Sequence, residues 1–315
     1  MVKYRKLGKT GLEVSALSFG ASSLGSVFRE TDDAESVRTV HTAVDRGINL
    51  IDVSPYYGLT KAETVLGKAI AEIARDRFIL STKAGRYGAD EFDFSEQRII
   101  ASVDESLKRL QTDYIDILFL HDIEFVPFEQ VAEGAFLALE KLKQAGKIRF
   151  SGVSGLPLTV FEKSLAYTEL DAVLSYCHYS LNDTSLLDIL PLLEQKQVGL
   201  ISASPLSMGL LGNRALADWH PAGSAIRAAC REAAAYCASK GEDIAKLAVQ
   251  FATANERIPT TLVSTANPEN ISKNIEWTDE PINDELLAEV LAILAPIHNR
   301  SWESGREEYN TGVVV

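Results

Sequence analysis

Apolar and polar positions in this chain alternate between two periods, one that suits buried strands and one that suits amphipathic helices. Residues 3–7 and 12–14 flank Gly8-Lys9-Thr10-Gly11, and the glycines of that linker predict a short hairpin. Residues 14–20 come next as a first strand. Residues 33–47 then place Val37, Val40, Ala43 and Val44 on one helical face, with Gly47 as a C-terminal stop. Strand-like runs recur at 49–54, 78–84, 114–121, 149–155, 172–177, 199–204 and 260–265. Between them, helical spacing is read at 62–75, 95–110, 128–145, 157–167 and 184–196. The segment 206–222 carries Gly, Trp and Pro in place of periodic apolar residues. Helices are predicted after it at 224–239 and 243–254, and, beyond the last strand, at 268–275 and 283–294. The tail, 298–315, is polar with aromatics and is expected either to lie over a site or to be mobile.

Strands interleaved with helices at similar spacing, with no linker-like break, predict a (β/α)8 TIM barrel that fills one domain, 1–315, with an N-terminal β-hairpin and extra C-terminal helices. A doubly wound open sheet is the rival fold. Against it, no Gly-x-Gly-x-x-Gly lies between the first strand and the first helix. In a barrel of this kind chemistry sits at the C-terminal ends of the strands, so the residues at those ends decide the reading.

Composition narrows the partners. The 315 residues are 46% hydrophobic and 24% charged, and 31 basic against 44 acidic residues give a formal net charge of −13. A field of that sign repels phosphate backbones and anionic lipid, so neither nucleic acid nor a membrane surface is an expected partner. No apolar run reaches the length of a membrane span, and the start, Met1-Val2-Lys3-Tyr4-Arg5-Lys6, leads into polar Gly-rich sequence, not into a signal core; a cytoplasmic location is the expectation. The three cysteines, Cys177, Cys230 and Cys237, are odd in number and lack metal-ligand spacing, so reduced thiols are expected, with Cys230 and Cys237 on one helix face and no metal site.

The run Asn49-Leu50-Ile51-Asp52 puts an acid inside a strand that reads as buried on both faces, and Ser54-Pro55-Tyr56-Tyr57-Gly58 turns sharply after it. The next strand ends at Thr82-Lys83-Ala84 and the one after at His121-Asp122. A Lys in so apolar a run needs a carboxylate to stay charged, and Asp52 can supply it. A charged Lys83 can stabilise a phenolate at Tyr57, lowering a pKa that is ordinarily about 10, and His121 can donate to the same substrate oxygen. Taken singly, a strand-end Asp or His also serves as a hydrogen-bonded core group, and a strand-end Lys often snorkels to solvent. Four groups of complementary role at matching ends of adjacent strands favour proton handling.

These motifs resemble the aldo-keto reductases, through Leu7-Gly8-Lys9-Thr10-Gly11-Leu12, Asp52-Val53-Ser54-Pro55-Tyr56-Tyr57-Gly58, Thr82-Lys83, Leu120-His121, Ser204-Pro205-Leu206 and Asn267-Pro268-Glu269. The resemblance implies a catalytic tetrad of Asp52, Tyr57, Lys83 and His121. Tyr57 would be the proton donor or acceptor, Lys83 its activator, Asp52 the anchor of Lys83, and His121 the group that orients the substrate oxygen. It also implies a nicotinamide cofactor bound without a Rossmann fold, with Ser154, Tyr176, Ser204, Leu206, Gly209, Ser264, Asn270 and Asn274 as its contacts.

The chain departs from the commoner family pattern at three places. Ser154-Gly155 stands for a Ser-Asn pair, Tyr176 for a Gln, and Ala203 for an aromatic that often stacks on the nicotinamide, a surface Tyr176 would then supply. The stretch Val263-Ser264-Thr265-Ala266-Asn267-Pro268-Glu269-Asn270 lacks the Lys or Arg that pairs a 2′-phosphate in members preferring NADP, and Lys273 by register lies nearer the adenine edge; NAD is expected. Gly152 to Leu158, Leu174 to Tyr179 and Ala203 to Gly209 are most similar to the sugar-oxidising subgroup of plant-type L-galactose dehydrogenases and bacterial L-fucose or D-threo-aldose dehydrogenases. That subgroup implies NAD and an aldose substrate oxidised at C1; the expected partner is a small-molecule sugar, and a monomer or weak homo-oligomer is the expected state. The rivals are a reductase of pyridoxal-like or xenobiotic carbonyls, decided by loops that carry Phe28, Tyr87, Phe125 and Trp219, and a non-catalytic cofactor-binding subunit. The intact tetrad and the absence of an arm before the hairpin count against that subunit.

Overall fold

A computed structural model of the protein describes residues 2–312. Two short strands, β1 (Tyr4–Lys6) and β2 (Glu13–Ser15), pair antiparallel through Tyr4 with Ser15 and Lys6 with Glu13. The turn between them is a 3-10 segment, Gly8–Thr10, and Gly8 holds φ +53 against the backbone of Gly199, where no side chain fits. Leu7 is fully buried there with Leu50, Ile117 and Phe119, so the hairpin plugs the bottom of the main sheet.

The main sheet is a closed barrel of parallel strands. They are β3 (Leu17–Gly20), β4 (Leu50–Asp52), β5 (Ile79–Ala84), β6 (Ile115–His121), β7 (Ile148–Gly155), β8 (Ala172–Tyr176), β9 (Gly199–Ala203) and β10 (Thr260–Ser264), with β10 closing between β9 and β3. The predicted strand 14–20 is in fact two. Ala16 donates its N–H to Lys3 O at 2.8 Å, in the hairpin, and its carbonyl accepts the Thr261 N–H at 2.9 Å, in the barrel, so the chain changes sheets at this residue.

The helices ring the barrel, and departures from the expected spans have local causes. α1 (Asp33–Asp45) is capped by Asp32, which accepts from Glu35 N, and α2 (Lys61–Ile70) ends short of residue 75. Arg75 is drawn away to Asp116 on β6, which it meets at 2.5 Å. α3 (Glu96–Leu110) matches expectation. The span 128–145 runs as α4 (Phe128–Gln130), a π turn (Val131–Ala135) and α5 (Phe136–Gln144); within the π turn Gly134 packs against Phe94 O where a Cβ would lie at 2.5 Å. α6 (Thr159–Tyr167) is regular, whereas α7 begins only at Leu190 (Leu190–Lys196), with a proline in its first turn and a separate 3-10 segment, Ser185–Asp188, before it.

The outer layer is completed by α8 (Ser224–Ser239), α9 (Ile244–Ala254), α10 (Pro268–Asp279) and α11 (Asp284–Leu294). Cys230 and Cys237 are buried and free on one face of α8, with Ile226 and Ala233. Among the described residues no helix is long and apolar enough to cross a membrane.

Candidate active site

The end of β4 pairs with the middle of β5, Asp52 opposite Ser81, and both carboxylate oxygens of Asp52 are used. Ser81 Oγ donates to Oδ1 at 2.7 Å, and Lys83 Nζ donates to Oδ2 at 2.5 Å. Lys83 Nζ also donates to Val53 O at 3.0 Å and lies 4.8 Å from the centre of the Tyr57 ring. The loop that carries Tyr57 is fixed by close backbone contact: Gly58, at φ +62, sits against Gly25, leaving no room for a Cβ.

His121 ends β6 opposite Ser154 of β7, and its ring stands edge-on to Tyr57 with centroids 5.7 Å apart. Nδ1 lies 2.9 Å from Ser54 Oγ. That hydroxyl also accepts the Tyr56 N–H at 3.1 Å and can give its own hydrogen to Nδ1, the arrangement that places the ring hydrogen on Nε2. Asp122 Oδ2 faces Nε2 at 3.6 Å and accepts Arg86 Nη1 at 2.6 Å.

Burial dominates the electrostatics. It works to strip the proton from Lys83, but Asp52 and Tyr57 outweigh it and the ammonium pKa is raised. Burial raises the pKa of Tyr57, and Lys83 only partly opposes it. The net direction is the reverse of the expected lowering: Tyr57 is held as the phenol. Burial, then Lys83 and Arg86, push the His121 pKa well below its usual range, so the ring is neutral. Asp122 is raised by burial, with Arg86 pulling it back.

The remaining sequence-expected contacts continue around the same end of the barrel. Ser154 is buried on β7, with Oγ 3.4 Å from Leu120 O. Tyr176 ends β8 and is half-buried. Ser204, at φ +59, follows β9, with Leu206 half-buried and Gly209 exposed in the turn beyond. Ser264 is exposed at the end of β10, where its Oγ meets Ser22 Oγ at 2.9 Å and Ser23 Oγ at 2.8 Å. Asn270 N donates to the cap residue Asn267 in the first turn of α10, and Asn274 is half-buried one turn on. The tetrad residues thus occupy β4 to β6, and the other positions form a strip from β7 to β10.

The model of the aldo/keto reductase family matches residues 16–295. The chain belongs to the aldo-keto reductase family. An L-galactose dehydrogenase of Arabidopsis thaliana is 47% identical over 96% of this chain and 98% of its own length. A D-arabinose 1-dehydrogenase of Saccharomyces cerevisiae is 38% identical over 76% of this chain and 75% of its own. Among solved structures, the holo form of an aldo-keto reductase from Bacillus halodurans superposes with a TM-score of 0.77 at 26% identity, covering 98% of this chain and 99% of that one.

One departure of this aldo-keto reductase from the commoner pattern now has a physical reason. A Cβ at Gly155 would lie 2.7 Å from Glu124 Oε2 and 2.9 Å from Val160 Cγ2, so the fully buried Glu124 excludes a larger residue there. Nothing in the sequence singles out Glu124 or Arg86, and Asp122 stands there only as the residue after His121. Glu124 accepts Leu156 N at 3.0 Å and Ser304 Oγ at 3.1 Å, and its carbonyl accepts Arg306 N at 2.8 Å. The tail therefore lies on the loop after β6, with Tyr309 buried beneath it; residues 313–315 fall outside the described range. Of the loop aromatics, Phe28 and Trp219 meet at 6.1 Å across the mouth, Phe125 stacks on Phe92 at 4.8 Å, and Tyr87 accepts Gly85 N at 3.1 Å, which ties down its own loop.

Proposed function

We propose that this aldo-keto reductase oxidises the anomeric carbon of an aldose with NAD, yielding the lactone. The observation that carries the reading is the stack of a buried charged Lys83 beneath the Tyr57 phenol, with a neutral His121 edge-on to the same ring. The names of the relatives point to the sugar class.

In this reading His121 Nε2 and Tyr57 hold the anomeric hydroxyl of the cyclic sugar. Tyr57, once ionised, takes the hydroxyl proton, and a nicotinamide held by Ser154 and Tyr176 would supply the hydride acceptor that lets C1 become the lactone carbonyl carbon. Lys83 steadies the phenolate charge, and Asp52 keeps Lys83 protonated. Ser154 and Tyr176 adjoin His121 through β7 and β8 and suit a nicotinamide carboxamide and ring face. The hydroxyls and amides of Ser204, Leu206, Gly209, Ser264, Asn270 and Asn274 suit the uncharged parts of a dinucleotide.

NAD over NADP is supported by charge. Residues 263–274 carry a single cation, Lys273, which is exposed, while Asn267 Nδ2 holds the Glu35 carboxylate at 2.8 Å beside the start of α10. A carboxylate accepts ribose hydroxyls and opposes a 2′-phosphate. The test is a panel of aldoses assayed for reduced coenzyme with both NAD and NADP. L-Galactose and D-arabinose are expected to be oxidised, with the higher kcat/KM for NAD. Inactivity toward every sugar, or a preference for NADP, overturns the corresponding half of the proposal.

A further inference from the structure

Beside the tetrad lies a second polar group that the proton transfer does not use. Asp122 leaves β6 in left-handed backbone, φ +52, and its side chain is buried. Oδ2 accepts from Arg86 and stands 3.6 Å from His121 Nε2, while Oδ1 is buried without any hydrogen-bond partner. A buried carboxylate oxygen with no donor is costly, and Oδ2, on the side of His121, has a further lone pair to offer.

Arg86 is itself rigidly held. Its guanidinium donates to Tyr56 OH at 3.2 Å, to Gly88 O at 3.4 Å and to Ala89 O at 3.5 Å, and it lies over the rings of Tyr56, Phe125 and Phe92 at 4.1, 4.9 and 5.2 Å. A planar fork enclosed by aromatic faces fixes the carboxylate it grips.

We infer that Asp122, positioned by Arg86, binds the hydroxyl on the carbon next to the one that reacts, and so selects 2-hydroxy sugars over carbonyl compounds that lack that group. The inference rests on the proposed aldose reaction, in which His121 Nε2 holds the reacting oxygen. Oxygens on adjacent carbons are staggered neighbours about one C–C bond. A donor and an acceptor 3.6 Å apart can therefore hold the pair together, Nε2–H giving to the first oxygen and the second oxygen giving its own hydrogen to Asp122. A substrate without the second hydroxyl leaves Asp122 Oδ2 with its Arg86 bond alone, and a site built to hold a substrate hydroxyl discriminates against the analogue that lacks it.

D-Arabinose and 2-deoxy-D-ribose are a matched pair of probes, because the second is the first without its C2 oxygen. The wild-type enzyme is expected to show kcat/KM for D-arabinose at least about tenfold above that for the deoxy sugar. Asp122→Asn and Arg86→Lys are each expected to compress that ratio by at least about threefold while binding NADH as the wild type does, read by coenzyme fluorescence. A wild-type ratio near one overturns the inference without recourse to any variant. So does a variant that binds NADH and loses the same factor on both sugars, since a mere staple for the loop after β5 would act in that way. Inactivity of the wild type toward both of these sugars and toward L-galactose sinks the aldose reading itself, and the inference with it.

Discussion

Lys83 and Asp52 meet at 2.5 Å across the ends of neighbouring strands, and both side chains are almost entirely enclosed. Asp52 is the largest influence that keeps the Lys83 pKa up against burial. Asp52→Asn removes the charge and keeps the shape, so burial then drives the Lys83 pKa down and the ammonium beneath Tyr57 is lost. Turnover is expected to fall by at least about a hundredfold. Because a buried charge is left without its partner, urea unfolding is expected to show a loss of about 3–5 kcal/mol. A variant as stable and as active as the wild type would remove Asp52 from the account.

The pH profile is set by the directions at Tyr57 and His121. Sugar oxidation needs the phenolate, whose pKa burial raises, so kcat/KM for oxidation is expected to climb with pH across the range from about 6 to 10. His121 is neutral well below its usual range, so no inflection from it is expected near pH 6.5. Rates that level off below about pH 7 would contradict the assigned base.

Glu124 offers a test that leaves the chemistry aside. Burial, reinforced by Asp122, pushes its pKa from 4.5 to about 8 in the folded protein. A carboxyl raised on folding contributes stability that is fully present below the unfolded value and is lost as pH rises through the folded one. Between about pH 4.5 and pH 8 the wild type should therefore lose stability on this account, and Glu124→Gln, which cannot ionise, should not. Thermal melts at both ends of that window should show the variant gaining on the wild type at the alkaline end. Equal slopes would mean that Glu124 is not held protonated.

Much of this architecture is readable in the chain. The barrel strands announce themselves because strands covered on both faces must be apolar, as Ile79 to Leu80 and Ile117 to Leu120 are, and Asp52, Lys83 and His121 stand out against those runs. The break at Ala16 is not readable, because it depends on partners at Lys3 and Thr261. Nor is the role of Arg86, which lies in a loop and meets Asp122 only through the fold. The direction of the Tyr57 shift differs from expectation because the pattern of residues names the neighbouring cation but does not measure enclosure. Glu124 carries no periodic signal; its effect appears only as the missing side chain at Gly155.

The most direct test of the central claim is Tyr57→Phe, which removes one oxygen from a side chain whose ring packing is retained. With an aldose that the wild type oxidises, the variant is expected to bind NADH unchanged and to lose turnover by at least about a hundredfold, the lower range for a missing general base. Turnover within about tenfold of wild type would show that the proton leaves by another route, and Tyr57 would not be the acid and base of this site.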